Sequence, residues 1–119
     1  DRVLACLQDH PGVRGVMHAF SGSREILRAL LDLGLFIGFG GGVTCPNAIR
    51  TRNAARETPA ARLLLETDAP YIGMDGLEPA SVEPAHLPRV LHALAELRGD
   101  DVVELAGRIE ANVGELFRR

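Results

Sequence analysis

Three short apolar segments, separated by helical patterns and each running into polar or glycine-rich residues, constrain this chain more than any other feature. They are Val13 to His18, Leu35 to Phe39 and Leu63 to Thr67. Short apolar runs bounded by turn residues read as strands buried on both faces, because no alternate position is left for water. Buried strands that alternate with helices build parallel βαβ units, the helices covering the sheet. We therefore expect an α/β fold with about three parallel strands and flanking helices. No internal repeat, low-complexity tract or linker interrupts the chain, so residues 1–119 are expected to form a single unit.

The helices follow from period and punctuation. Val3, Leu4 and Leu7 make a short amphipathic turn ended by Pro11-Gly12. Ser21-Gly22-Ser23 opens a helix with Ile26, Leu27, Leu30 and Leu31 on its apolar side, stopped by Gly34. Pro46 and Asn47 begin a weaker, arginine-rich helix. Pro84 opens another, with Leu87, Val90, Leu91 and Leu94 in helical period and Gly99 at its end. Asp101, with Glu104 three positions on, resembles a capping box for a last helix. Its expected stripe is Leu105, Ile109, Val113, Leu116 and Phe117.

Composition removes several function classes. At 119 residues the fold would bury roughly 65% of the unfolded surface, enough for a core. All 13 basic residues are arginine, which excludes lysine Schiff-base chemistry and a P-loop lysine. Trp is absent and aromatics are 4%, a poor basis for a base-stacking platform. Cys6 and Cys45 lack metal-type spacing and are expected to be small buried apolar residues in a reducing cytosol. The longest uncharged run, Leu33 to Ile49, holds glycines and a proline and cannot span a bilayer. With no signal-peptide pattern at Asp1–His10, a cytoplasmic protein that does not enter the membrane is expected. Residues 1–62 carry 8 Arg against 5 acids, and residues 63–119 carry 5 Arg against 11. The basic side is densest at Arg50, Arg52, Arg56 and Arg62, either a solvated helix face or a phosphate-attracting rim.

Ligands of parallel α/β sheets gather where strands end, and three polar features converge there: His18, the glycines after Phe39, and Glu66-Thr67-Asp68. A neutral imidazole at His18 and a hard carboxylate at Asp68 suit a divalent metal. Each also has a plain alternative. His18 can be a hydrogen-bonded structural residue, Asp68 can cap the turn before Ala69-Pro70, and Glu66 can pair with an arginine. His10, His86 and His92 read as surface residues. Two ligands alone hold a metal poorly, since metal sites usually draw three or more from the protein. Gly38-Phe39-Gly40-Gly41-Gly42-Val43 departs from the dinucleotide fingerprint at Val43 and lacks a Walker lysine. Gly40, Gly41 and Gly42 offer either backbone N–H groups to a substrate phosphate or tight-turn geometry.

The blocks Gly15-Val16-Met17-His18-Ala19-Phe20-Ser21-Gly22-Ser23, Phe36-Ile37-Gly38-Phe39-Gly40-Gly41-Gly42-Val43-Thr44 and Leu63-Leu64-Leu65-Glu66-Thr67-Asp68-Ala69-Pro70-Tyr71 resemble the TatD family of metal-dependent deoxyribonucleases. Ala111-Asn112 to Leu116-Phe117 is similar to that family's closing helix. The resemblance covers nearly the whole chain but only the C-terminal half of a TIM-type (β/α)8 barrel. It implies a two-metal phosphodiesterase acting on DNA, with Mg2+ or Mn2+, or alternatively Zn2+. His18 would ligate metal, Asp68 would ligate metal and activate the attacking water, and Glu66 would orient the site. The family commonly has Cys where Ala19 stands. Ahead of Glu83-Pro84 it has a basic residue and Asn in place of Ser81-Val82, which weakens a substrate-phosphate contact here. Its N-terminal His-x-His, bridging Glu and another His have no counterpart in this sequence. Three strands cannot close a barrel. We therefore expect a fragment or split gene product, completed by a homo-oligomer or by a missing N-terminal half. A non-catalytic remnant or interaction module that self-associates is the alternative.

Overall fold

A computed structural model describes residues 2–118. In chain order these form helix α1 (Arg2–Gln8), strand β1 (Val16–Met17), α2 (Arg24–Asp32), β2 (Phe36–Phe39), α3 (Ile49–Glu57), β3 (Leu63–Leu65), α4 (Leu87–Arg98) and α5 (Val102–Leu116). The three strands are all parallel, in the order β1-β2-β3, as the alternation of apolar runs and helices requires.

Register settles what each face does. Val16 pairs with Phe36, and Gly38 with Leu64, so these residues share one face. Met17, Ile37 and Leu63, with Phe39 and Leu65, line the other. That second face joins Leu27, Leu30, Val90, Leu94, Leu105 and Ile109 in the main core, where the helices pack. Phe20 meets Phe39 edge to face, with ring centroids 6.5 Å apart. The first face carries no helix core; Phe36 lies instead under the guanidinium of Arg62, 4.9 Å from the ring centroid.

Local chemistry explains the boundaries. The Ser23 side chain accepts from Ile26 N at 3.4 Å and starts α2. Gly99 ends α4 in the left-handed region (φ +69°), where an L side chain would be strained. Asp101 accepts from Val103 N and Glu104 N, both at 3.0 Å, and starts α5. Arg98 fastens α4 to the end of α3, donating to Ala55 O and Thr58 O, each at 2.6 Å.

Four expectations need correction. β1 is shorter than Val13–His18, because it is an edge strand with one neighbour and Val13 stands 46% exposed. α3 begins at Ile49, after a turn through Pro46 and Asn47. Cys6 is exposed and Cys45 only half-buried, since α1 buries none of its residues and Cys45 ends the turn after β2. On α5, Val113 and Phe117 face water at 43% and 74% exposure, and Asn112 takes the buried position instead. No helix among the described residues is long and apolar enough to cross a membrane.

Candidate metal centre

His18 leaves the end of β1, and Glu66 and Asp68 leave the end of β3, with β2 between them. In a strand, residues two apart share a face, so His18 follows Val16 and Glu66 follows Leu64 onto the face without helices. There the imidazole lies between two carboxylates. His18 Nδ1 is 2.6 Å from Glu66 Oε2, and Nε2 contacts Asp68 Oδ1. Glu66 Oε1 also accepts the backbone N–H of Ala19. That N–H is aimed by an unusual backbone, for Ala19 is left-handed at φ +48°, a conformation costing an L residue about 1–2 kcal/mol. A ligand atom from each of His18, Glu66 and Asp68 lies within 4.8 Å of the others.

The Glu66 side chain reaches His18 by crossing β2 at Gly38. A Cβ on Gly38 would collide with Glu66 Oε2, so only glycine leaves the passage open. Sequence reasoning missed Gly38; the available signal was a glycine inside an otherwise apolar strand. Gly40 makes similar room, since its Cβ would come within 3.2 Å of Glu66 O and 3.7 Å of Asp68 Oδ2. A Cβ on Gly41 would strike Gly73 O, whereas at Gly42 it would find ordinary contact, 3.6 Å from Thr51. The N–H of Val43 donates to Gly40 O and that of Cys45 to Gly42 O, each at 3.2 Å. These glycines, with Ala19, Phe20, Ser21, Thr51, Asp68 and Ile72, line a cleft of about 180 Å3 beside Asp68. Beyond Asp68 the chain folds back, Tyr71 N donating to Asp68 O at 2.6 Å and Ile72 N at 3.2 Å.

The electrostatics follow from this packing. The His18 pKa is raised above 6.5, first by its hydrogen bond to Asp68; desolvation opposes this, and the charge and hydrogen bond of Glu66 add to the rise. The Glu66 pKa is raised above 4.5 because burial outweighs the hydrogen bonds from Ala19 and His18.

The other candidates are distributed differently. His10 is exposed and contacts Cys6 O at 2.8 Å, while His86 accepts from Glu83 N at 2.9 Å beside α4. Of Ser81-Val82, Val82 is buried in the core. The arginine group is divided. Arg52 donates inward to Val43 O at 2.6 Å, Arg56 to Asn53 Oδ1 at 2.9 Å, and Arg62 is held by Phe36 and by Glu115 at 3.8 Å. The Arg50 side chain makes no hydrogen bond or ion pair among the described residues.

The family model of TatD related DNase matches residues 1–118. The 3'-5' ssDNA/RNA exonuclease TatD of Klebsiella pneumoniae (strain 342) is 42% identical over 126 residues, which take in 98% of this chain and 47% of that protein. The uncharacterized metal-dependent hydrolase YjjV of Escherichia coli (strain K12) is 38% identical over 118 residues, 98% of this chain and 46% of that one. Its crystal structure superposes with a TM-score of 0.91 over the same shares of the two chains. A TatD family hydrolase from Entamoeba histolytica, 20% identical, shares the fold at a TM-score of 0.78 over 97% of this chain and 46% of that one. The chain spans about half the length of the curated relatives it matches, and its three parallel strands with flanking helices are the matching portion of their TIM-type barrel. With that match running across nearly all of its residues, this chain belongs to the TatD related DNase family.

Proposed function

We propose that this chain contributes part of a divalent-metal site that hydrolyses phosphodiester bonds of DNA. The observation that carries the reading is the meeting of His18, Glu66 and Asp68 at the carboxyl end of a parallel sheet, on residues from separate strands. Relatives named as a 3'-5' ssDNA/RNA exonuclease and as metal-dependent hydrolases support it. One imidazole nitrogen with carboxylate oxygens fits Mg2+ or Mn2+, and Zn2+ is accommodated by the imidazole. When bound there, such an ion supplies Lewis acidity toward a phosphoryl oxygen and toward water.

The chain's own residues divide the remaining work. With a proton on Nδ1 donated to Glu66, His18 turns the Nε2 lone pair toward the Asp68 side, so His18 and Asp68 hold the metal and Glu66 fixes the imidazole. The carboxylate of Asp68 also takes the proton of the attacking water. Gly40, Gly41 and Gly42 form a wall without side chains, against which the substrate phosphate fits. His18 and Asp68 are fewer ligands than a catalytic site uses. The rest of the barrel, or a second copy of this chain, supplies the others.

A second reading, a non-catalytic module that associates through its sheet, is favoured by Val16, 40% exposed on the edge strand. A chimera separates the two. This chain replaces the matching half of E. coli YjjV and is given a labelled single-stranded oligodeoxynucleotide with Mg2+ or Mn2+. We expect cleavage by the chimera, little or none by the isolated chain, and a loss of about a hundredfold or more with Asp68→Ala. A chimera whose Asp68→Ala and His18→Ala variants cleave as fast as the parent, with no Mn2+-induced thermal shift, leaves the second reading standing.

A further inference from the structure

Arg50 has a setting unlike those of the other three arginines of its group. It is the second residue of α3, on the rim that follows β2, and its guanidinium has no partner among the described residues. It lines a groove of about 340 Å3 between α2 and α3, together with Gly22, Ser23, Arg24, Asn53 and Glu57. Arg24 and Glu57 pair across this groove at 2.8 Å and neutralise each other, so the remaining formal charge among its lining residues is that of Arg50. The groove also adjoins the cleft beside Asp68. Ser21 and Thr51 line the inner cleft, and their chain neighbours Gly22 and Arg50 line the outer groove.

We propose that the α2–α3 groove is a subsite for the sugar-phosphate backbone of a single-stranded nucleic acid, with Arg50 contacting a phosphate next to the one being cleaved. An unpaired guanidinium offers a planar fork that matches two phosphate oxygens. Ser23 and Asn53 provide neutral polar groups on the two walls, suited to sugar and phosphate oxygens and without base specificity. A strand whose scissile phosphate lies at Asp68 passes between Ser21 and Thr51 and comes out at Arg50. This deepens the nuclease reading and rests on it.

The test is equilibrium binding of a fluorescein-labelled oligothymidylate to the full chain in EDTA, followed by anisotropy across a salt series. Arg50→Gln should weaken binding about five- to tenfold and reduce the slope of log K against log salt by about 0.7, one single-strand phosphate contact. Arg50→Lys should restore the slope, and Arg108→Gln should match the parent, with unchanged thermal unfolding for all three. Parent-like affinity and slope in Arg50→Gln overturns the groove while leaving the nuclease reading intact. Absence of salt-dependent binding by the parent chain overturns the groove; inactivity of the YjjV chimera is what overturns the nuclease reading.

Discussion

His18 sits between Asp68 at Nε2 and Glu66 at Nδ1 although 55% of its side chain is in water. Both neighbours favour the imidazolium, so in metal-free protein its midpoint should lie above 6.5. A folded pKa above the unfolded one means this group stabilises the fold fully below pH 6.5, and the contribution is lost as pH rises through the raised value. Glu66, also raised, acts in the same direction from its own range: its contribution is present below pH 4.5 and lost as it ionises in the fold. Metal competes with the same proton, so divalent affinity should rise with pH and binding should release protons. NMR titration of the His18 ring in EDTA checks this. Asp68→Asn should lower the midpoint most, because that hydrogen bond is the largest cause, and Glu66→Gln should lower it less. Gly38→Ala should reproduce the effect of Glu66→Gln without touching a charge, because the added methyl occupies the space of Glu66 Oε2. A Gly38→Ala midpoint equal to the parent's would mean that Glu66 reaches His18 by some route other than across β2.

Among the elements, α5 shows how a buried polar residue organises a strand. Asn112 is 3% exposed and donates to Ala60 O at 2.7 Å and Leu63 O at 2.9 Å, which fixes where β3 begins. Glu66 and Asp68 lie a few residues on, so their position depends on this clamp. Asn112→Ala would bury carbonyls that lack their partner, at a cost of about 1–3 kcal/mol. Thermal melts should therefore show a drop of several degrees, with Val113→Ala within about 0.5 kcal/mol of the parent. Equal melts for the two would remove the clamp from the account. The same helix marks the limit of what the sequence told. Leu105, Ile109 and Asn112 continue one face by steps of four and three, but a stripe read by apolarity passes to Val113 and Phe117 and misses a polar residue whose partners belong to another element. The strands, the α2 cap at Ser23 and the stop at Gly99 were legible because local chemistry sets them. His18 and Asp68 were legible as strand-end residues. Their contact, the Gly38 passage and the separation of Arg50 from Arg52 and Arg62 depend on register across three strands, which no local window contains.

At the scale of the whole molecule, the surface is larger than the mass requires. A folded chain of 12.8 kDa exposes about 6,300 Å2 by the usual scaling, whereas this one exposes 7150 Å2. The surplus, roughly 900 Å2, is close to one partner's share of a standard protein interface, about 800 Å2. Its place follows from the sheet. β1 and β3 each have one strand neighbour among the described residues, and on the face without helices Phe36 and Leu64 are already buried, so the exposed part is the outer edge at Val16. That face also carries His18 and Glu66, so whatever covers it encloses the metal centre and can add ligands to it. If a second copy completes the protein, light scattering after size exclusion at tens of micromolar should give a mass well above 12.8 kDa for the chain alone. Val16→Lys, which sets a charge on the outer edge of β1, should return it to the monomer and remove the concentration dependence of its melting temperature. A parent chain that runs as a monomer and still cleaves DNA with Mg2+ would show that three strands suffice, and that His18, Glu66 and Asp68 work in an open site rather than inside a closed barrel.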